Sequence, residues 1–471
     1  MSDRQAAPTP QPSSPLTPPH ASARPPAKFA TGSILRHILV MTGTGAVGLM
    51  AIFLGDLANV VFLSMLGDVE VVAAVGYASS LVFLAVASGI GLAIAVTAMV
   101  APAIGGGRRA DARRLATHGL IFTLVVAIAL TVLILVLLPW LLTLLGAKGR
   151  THMLALGYGR MVIAAMPLLA LAMASAAILR SLGDATRAMF ITLGGAIVAV
   201  ALDAVLILGL GLGLDGAAIA TVAARLTAAA VGLYGVIKVH DVLGRFEAVR
   251  FRADTASILT VAVPAVATNL ATPFANAWMT AAMSSYGDDA VAGWTVIGRL
   301  YPVAFGAVFA LSGSIGPIVG QNLGARDAAR LEETILKSVL VTAAFTLAAW
   351  LPLALAAPSI VRMFAAEGEA ASLILLFCRW LSPLFFFLGL LFVANAAFNT
   401  LGQPRLSTAL NWGRATLGMI PLVSLGGGAW GAAGALAGFM ASGVVFGILA
   451  VVLCLRLIRT IAAEWRDNDT R

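Results

Sequence analysis

The sequence predicts an all-α integral membrane protein with twelve transmembrane helices in two six-helix lobes, related by a pseudo-two-fold axis along the membrane normal. Composition, the length of the apolar runs and an internal repeat support this prediction. Of the 471 residues, 60% are hydrophobic and 11% are charged, and the mean hydropathy is +0.98. Soluble domains carry about 25% charged residues, so this chain lacks the polar surface that water requires.

The apolar runs are long and continuous, which favours helices over the alternating strands of a membrane β-barrel. A helix needs about 20 mainly apolar residues to cross the bilayer. Twelve runs meet this requirement, and they lie at 38–65, 72–103, 118–144, 153–179, 189–212, 216–237, 256–286, 291–320, 336–357, 371–398, 407–426 and 430–457.

Lysine and arginine residues are distributed unequally between the two sides of these predicted helices. If the N-terminus lies inside, 22 of the 30 fall in cytoplasmic segments, five lie within or near the spans, and only Lys148, Arg150 and Arg362 fall outside. Because positive charge is enriched in cytoplasmic loops, both termini are predicted to be cytoplasmic, in a multi-pass protein of the bacterial inner membrane. This asymmetry also explains most of the net charge of +9 without a nucleic-acid partner.

Four short markers recur in the same order in the two halves of the chain, at offsets of 215 to 220 residues. Two halves of six helices each therefore have the same orientation in the membrane. Many transporters are built from repeats that move around a central site. The markers pair residues 67–68 with 287–288, 111–115 with 327–331, 181–183 with 400–402, and 216–218 with 431–433.

The chain divides into five predicted parts. The first is rich in Pro, Ser and Ala and has no contiguous apolar stretch, which is typical of disorder. The parts are a disordered cytoplasmic tail (1–34), an N-lobe (35–240), a cytoplasmic inter-lobe linker (241–255), a C-lobe (256–460) and a cytoplasmic C-terminal tail (461–471).

Two acidic residues, Asp56 and Asp203, are the only ones of twenty-one that lie inside long apolar segments. A carboxylate at a helix centre costs about 2.5–3.5 kcal/mol on insertion scales, so such residues usually serve ion or proton pathways. Asp56 lies eleven residues before Gly67 and Asp203 ten residues before Gly213, which puts both about 15 Å from the same boundary. Burial favours the neutral carboxyl, so the pair predicts proton binding. The alternative is that each is a hydrogen-bonded structural acid.

At the repeat markers the sequence resembles the multidrug and toxic compound extrusion (MATE) family, and within it the DinF-like subfamily. The resemblance spans roughly 36–460 and implies a V-shaped pair of lobes that exports lipophilic, cationic drugs or metabolites by alternating access, in exchange for protons or sodium. The matching segments are 180–187 (RSLGDATR), 202–207 (LDAVLI), 211–218 (GLGLDGAA), 317–325 (PIVGQNLGA), 402–405 (GQPR) and 420–421 (IP).

The resemblance implies four ion- or proton-coupling residues in the N-lobe. Asp203 and Thr221 match the acid of helix 5 and the hydroxyl of helix 6 in the family. DinF-like members have an Asp in helix 1 eight residues before its terminal Gly, and often an Asn one turn earlier. This chain has Asn59 at the first position and Asp56 at the second. Asp56 is therefore predicted to be a displaced equivalent of the acid, with Asn59 as a polar partner.

The C-lobe lacks the acids that sodium-type members of the family carry in helices 7 and 10. Hard cations prefer charged oxygen ligands, so the prediction is proton coupling, and sodium bound at the N-lobe acids stays as an alternative. Arg299 and Arg414 lie deeper in their predicted helices, and each could either face the substrate cavity or pair with backbone carbonyls. The candidate substrate-cavity residues are Asn269, Asn276, Arg299, Tyr301, Asn395, Asn399 and Arg414.

Two other classes of function remain as alternatives. A lipid-linked or polysaccharide flippase often has a strongly basic cavity, whereas arginine within the predicted spans is sparse here. A membrane enzyme or sensor needs a catalytic cluster or a soluble output domain, and the sequence contains neither. The prediction is therefore a monomeric transporter of small amphiphilic molecules in the lipid bilayer. It is not expected to be an enzyme, or to have a metal, a nucleic-acid partner or any cofactor beyond the coupling ion.

Overall fold

The structure, a computed structural model, describes residues 27–470, and these residues fold into helices and short connections. Ten helical stretches are long and apolar enough to cross a membrane, and a pair bent by 51° at Phe305 supplies one more span. The stretches are Ile34–Ser64 (α1), Val69–Gly105 (α2), Arg109–Leu144 (α3), Gly149–Ser181 (α4), Ala185–Gly209 (α5), Gly213–Val239 (α6), Ala248–Ser284 (α7), Asp288–Ala304 with Gly306–Gly324 (α8), Ala328–Met363 (α9), Gly368–Thr400 (α10) and Pro404–Asp469.

The last stretch, Pro404–Asp469, contains two spans. Its 66 residues would extend about 99 Å as one straight helix, but the backbone is non-helical at Trp430 and at Gly431, whose φ is +60°. After this turn the chain runs back along itself, because a Cβ at Gly434 would lie 2.0 Å from the carbonyl oxygen of Gly426. The parts on either side of the turn are α11 (404–429) and α12 (432–469), so the predicted count of twelve spans is confirmed for the described chain.

The helices form an N-lobe, α1–α6, and a C-lobe, α7–α12, that meet on one side of the membrane. We call the side where α1 begins and α12 ends the terminal face, and the other the opposite face. Near the opposite face, one buried cluster contains only N-lobe residues and another only C-lobe residues. Toward the terminal face, Leu92 and Phe122 of the N-lobe share a cluster with Ile258 and Ala262 of the C-lobe. The lobes are therefore joined at the terminal face.

Glycines bring the backbones of α2 and α8 into direct contact at the terminal face. A Cβ at Gly105 would lie 2.0 Å from the carbonyl oxygen of Gln321, and a Cβ at Gly324 would lie 2.0 Å from that of Pro102. Side chains cannot occupy this space, so only glycine permits the approach. The side-chain amide of Gln321 also donates a hydrogen bond to the carbonyl oxygen of Ser181 across the lobes, at 2.6 Å.

The boundaries of the predicted terminal and linker segments differ in the structure. Residues 1–26 of the predicted tail lie outside the described residues, but the tail does not extend to 34 as a free segment. Phe29 is 1% exposed and packs in a cluster that joins residues of α1 to residues of the C-lobe, and Lys28 Nζ donates to the carbonyl oxygen of Gly183 at 2.6 Å. The linker shortens to 240–247 because α7 begins at Ala248, and α12 continues to Asp469.

Candidate ion-coupling site and substrate cavity

Asp203 of α5 is a buried carboxyl group that has one hydrogen-bonding partner in the described part of the chain. It is 2% exposed, and its Oδ2 accepts a hydrogen bond from Asn59 Nδ2 of α1 at 2.9 Å. Its Oδ1 is buried and has no partner among residues 27–470. A buried charge with so few partners is costly. The arrangement therefore suits a carboxyl group that takes up a proton or a cation at Oδ1.

The backbone of α5 changes its geometry directly after Asp203. Residues Ala204–Gly209 form a π-helical segment, and the amide of Leu210 bonds to the carbonyl oxygen of Val205 at 2.9 Å. Short π-helical segments inside α-helices occur frequently at functional sites. Asp203 thus lies next to a local irregularity of its helix.

Asp56 is placed differently from Asp203, although the sequence predicts both as coupling residues. Its side chain is exposed, and it has no hydrogen bond or ion pair with the described part of the chain. The carboxyl group of Asp203 bonds the amide of Asn59 instead of a second carboxyl group. Asn59 therefore occupies the position next to the helix 5 acid, and Asp56 lies one turn away along α1. The structure brings together Asp203 and Asn59, and leaves Asp56 at the edge of the site.

Helices α4 and α6 supply a hydroxyl pair and an arginine beside these residues. Thr221 Oγ1 donates its proton to the carbonyl oxygen of Ala217 at 2.9 Å. Tyr158 of α4 is 6% exposed and lies near Thr221. Arg225 donates to the carbonyl oxygen of Val162 and interacts electrostatically with Asp56.

Tyr158 was not among the residues that the sequence predicts for this site. It lies nine residues after Gly149, about 14 Å from the opposite face, which is close to the depth of Asp203. A tyrosine presents a polar group on an apolar body. Depth along the predicted helices was compared only for acidic residues. The same comparison for residues with a hydroxyl group could have identified Tyr158.

A cavity of about 450 Å³ leads from the opposite face of the N-lobe to Tyr158. Asp68 and Asp215 line it where α2 and α6 begin. Hydrogen bonds from Arg150 hold the pKa of Asp68 below its usual range, so this carboxylate is charged at neutral pH. Negative charge in a cleft attracts cations. The cavity is lined by Leu66, Asp68, Val71, Met153, Leu154, Gly157, Tyr158, Leu212, Gly213, Leu214 and Asp215.

Replacing Tyr158 with Phe is expected to have a small effect on stability and a measurable one on ion coupling. The change removes the phenolic hydroxyl that lines the cavity, at a cost on the order of 1 kcal/mol, and keeps the buried ring. We expect the unfolding temperature to fall by a few degrees at most, and the pH at half-maximal transport to shift. Tyr77→Phe, in α2, serves as the control. An unchanged pH profile in Tyr158→Phe would remove Tyr158 from the coupling site.

In the C-lobe, three of the predicted cavity residues lie together. Arg414 of α11 is 4% exposed, and its Nε is buried with no hydrogen-bonding partner among residues 27–470. Its guanidinium carbon lies 6.0 Å from the centre of the Phe439 ring. Tyr301 lies close to Arg414, and its hydroxyl accepts a hydrogen bond of 3.4 Å from Asn276 Nδ2. The alternative that Arg414 pairs with backbone carbonyls is not observed for its Nε.

The other predicted cavity residues lie elsewhere. Asn269 donates to the carbonyl oxygen of Ala265 in its own helix at 2.8 Å, and Arg299 is exposed. Asn395 and Asn399 are buried near the terminal end of α10, one turn apart, each with an Oδ1 that lacks a partner in the described chain. These four residues do not join the group formed by Asn276, Tyr301 and Arg414.

Comparisons with known proteins agree with this architecture. A family model described as MatE matches residues 46–205 and 264–423, one segment in each lobe. The FAD transporter of Shewanella oneidensis is 30% identical over 440 residues, which are 92% of this chain and 97% of that protein. Two solved structures share the fold: a mutant MATE transporter from Vibrio cholerae (22% identity, 92% of this chain and 99% of that one, TM-score 0.87) and a MOP superfamily transporter from Pyrococcus furiosus (23%, 92% and 98%, TM-score 0.85).

The two-lobed bundle of twelve spans, with a buried acid in one lobe and a buried arginine in the other, defines a multi-pass membrane transporter. The family model covers more than half of the chain, and the relative from Shewanella oneidensis matches nearly its full length. The chain belongs to the MatE family of transporters. The family and the fold predicted from the repeat markers are thereby confirmed.

Proposed function

We propose that this transporter is a secondary active antiporter that exports amphiphilic drugs or metabolites in exchange for protons by alternating access. Asp203 is the proton carrier. The observation that supports this role is its buried carboxyl group, with Oδ2 bonded to Asn59 at 2.9 Å and Oδ1 without a partner in the described chain. Intramembrane acids with such environments are functional by default.

The terminal face is proposed to be the cytoplasmic one, in the bacterial inner membrane. The closed contact between α2 and α8 then makes this an outward-facing arrangement, with the N-lobe cavity open to the outside. A proton enters past Asp68 and Tyr158 and binds Oδ1 of Asp203. Neutralising this carboxyl group weakens the charge-assisted bond from Asn59, which alters the packing of α1 on α5. The lobes then release the substrate to the outside and reopen toward the cytoplasm. The transporter is proposed to act as a monomer and to need no further cofactor.

Proton coupling is favoured over sodium coupling by the ligands near Asp203. A hard cation such as sodium requires several oxygen ligands, whereas Asn59 presents an N–H group to the carboxylate. The guanidinium of Arg225 lies near Asp56, and its positive charge repels a sodium ion at this site. A proton requires only one oxygen.

A flavin dinucleotide is a second candidate for the exported substrate. The relative named FAD transporter is 30% identical over nearly the whole chain. FAD is an anion, which agrees with the positive charge of Arg414 in the C-lobe better than a cationic drug does. The exported molecule is thus either a lipophilic cation, as in the drug-exporting members of the family, or an aromatic anion.

Transport by purified protein in liposomes tests the coupling ion. We expect an imposed pH gradient to drive the accumulation of ethidium or FAD at least several-fold above the level without a gradient. A sodium gradient at equal pH on both sides is expected to leave transport at that basal level. Accumulation under the sodium gradient alone would reject proton coupling, and accumulation under neither gradient would reject secondary antiport of these two substrates.

A further inference from the structure

Arg414 is a buried permanent cation for which the C-lobe supplies no anion. Within the described chain its guanidinium forms no ion pair, and its Nε lacks any acceptor. The acidic residues of the C-lobe lie at or near helix ends, such as Asp288, Glu332 and Glu369, whereas Arg414 lies ten residues into its span, about 15 Å deep. An unpaired buried charge costs several kcal/mol, and arginine cannot deprotonate to avoid it.

The position of Arg414 within its helix matches that of Asp203 in one respect. Arg414 begins the π-helical segment Arg414–Gly418 of α11, and Asp203 directly precedes the π-helical segment of α5. Helices α5 and α11 are the fifth helices of the two repeats. Each repeat therefore places a buried charge at an irregularity of the same helix, negative in the N-lobe and positive in the C-lobe.

Aromatic rings line the C-lobe beside Arg414. Phe439 lies 6.0 Å from its guanidinium carbon and 5.1 Å from Trp294. The ring of Tyr301 stacks on that of Phe309 at 6.4 Å and lies 6.0 Å from Phe385. Aromatic side chains pack favourably against planar rings. A guanidinium presents a fork of donors that matches the two oxygens of a phosphate or carboxylate.

The bend of α8 keeps this region next to the N-lobe. The two halves of the helix meet at Phe305 with a bend of 51°, and a Cβ at Gly306 would lie 2.4 Å from the terminal methyl group of Met50 in α1. Substrates of repeat-built transporters bind near the midplane between the repeats. Tyr301 lies five residues from this contact, so the aromatic group is near the depth where a transported molecule passes.

We propose that Arg414 binds the oxyanion group of a planar aromatic substrate, and that the rings of Tyr301 and Phe439 pack against the ring system of that substrate. The phosphates of a flavin nucleotide, or the carboxylate of an aromatic acid, supply the acceptors that the guanidinium lacks. This inference rests on the proposed transport function but concerns the substrate and not the coupling ion. It predicts that the acidic group, not the ring system, determines affinity.

Riboflavin, FMN and FAD test this proposal because they share one ring system and differ in phosphate. Binding is measured by flavin fluorescence with the full chain in lipid nanodiscs, without any gradient. We expect FMN and FAD to bind at least about tenfold more tightly than riboflavin, a difference of about 1.4 kcal/mol. Equal affinity for the three ligands in the unmodified protein would overturn the proposal, whatever the variants do.

Variants of Arg414 test whether this residue causes the tighter binding of FMN and FAD. Arg414→Met is expected to bind all three flavins with the affinity that the unmodified protein has for riboflavin. Arg414→Lys is expected to retain part of the preference for FMN and FAD. Arg379→Met, which changes an exposed arginine of α10, is the matched control and should behave as the unmodified protein. A preference retained in Arg414→Met would reject the assignment. Competition by naphthyl phosphate or by naphthoate identifies which oxyanion binds, and competition by neither would contradict the site.

The same assay separates this proposal from that of proton coupling. Asp203→Asn should keep the preference for FAD over riboflavin, because the N-lobe carboxyl group does not contact the aromatic group. If the unmodified protein has no flavin preference but is driven by a pH gradient, only the anion site is rejected. Loss of drive with an intact flavin preference would reject only the coupling mechanism.

Discussion

Replacing Asp203 with Asn is expected to abolish transport driven by a pH gradient. The amide keeps the shape of the carboxyl group and can still accept a hydrogen bond from Asn59, but it cannot take up a proton. Proton transfer by a positioned group contributes at least 100-fold to the rates it supports, so we expect the initial rate to fall on the order of 100-fold. The measurement is uptake into liposomes at several imposed pH gradients.

Two further acid-to-amide substitutions calibrate this result. Asp289→Asn changes an exposed carboxyl group in the first turn of α8, and transport should change less than about twofold, as for a surface substitution. Asp56→Asn is expected to have an intermediate effect, since Asp56 interacts with Arg225 but not with the amide of Asn59. If Asp56→Asn abolished coupling while Asp203→Asn retained it, the proton carrier would be Asp56 instead.

Replacing Gly105 with Ala is expected to open the terminal face. The new Cβ would lie 2.0 Å from the carbonyl oxygen of Gln321, and a backbone atom cannot move aside as a flexible side chain can. Overpacking of this kind costs about 1–3 kcal/mol. All of this cost falls on the state in which α2 and α8 touch, so the equilibrium between the two access states should shift roughly 5- to 150-fold.

The shift is measured as a distance between spin labels at Val69 and Asp288, which lie at the opposite-face ends of α2 and α8. In Gly105→Ala the population with the longer distance should decrease. Gly76→Ala is the matched control on the same helix, because a Cβ there meets no atom within 4 Å. Identical distance distributions in all three proteins would show that the α2–α8 contact does not determine the conformation.

Much of the fold follows from the sequence, because its determinants are local or periodic. Twelve apolar runs, the distribution of lysine and arginine and four repeated markers require no knowledge of packing. The buried acid of helix 5 follows in the same way, since a carboxyl group in an apolar run is conspicuous. The segment at 27–33 does not follow, because its docking depends on Phe29 entering a cluster made by helices distant in the chain.

The arrangement within the site was harder to predict than its members. Asp56 and Asn59 are three residues apart on α1, and which of them bonds Asp203 depends on the rotation of α1 against α5. The environment of Arg414 depends on a π-helical segment and on the packing of α11 beside the bent α8. Neither the rotation of a helix nor a change in its hydrogen-bonding pattern leaves a clear signal in composition or spacing.

The opposite signs of the two buried charges have a consequence for the energetics of export. A proton that moves inward while a cation moves outward carries no net current, so the membrane voltage does not affect that exchange. A proton that moves inward while an anion moves outward transfers charge twice in the same electrical direction. Each elementary charge gains about 2.3 kcal/mol per 100 mV. If Arg414 selects anions, the interior-negative voltage of a cell would drive export even where the proton concentrations on the two sides are equal.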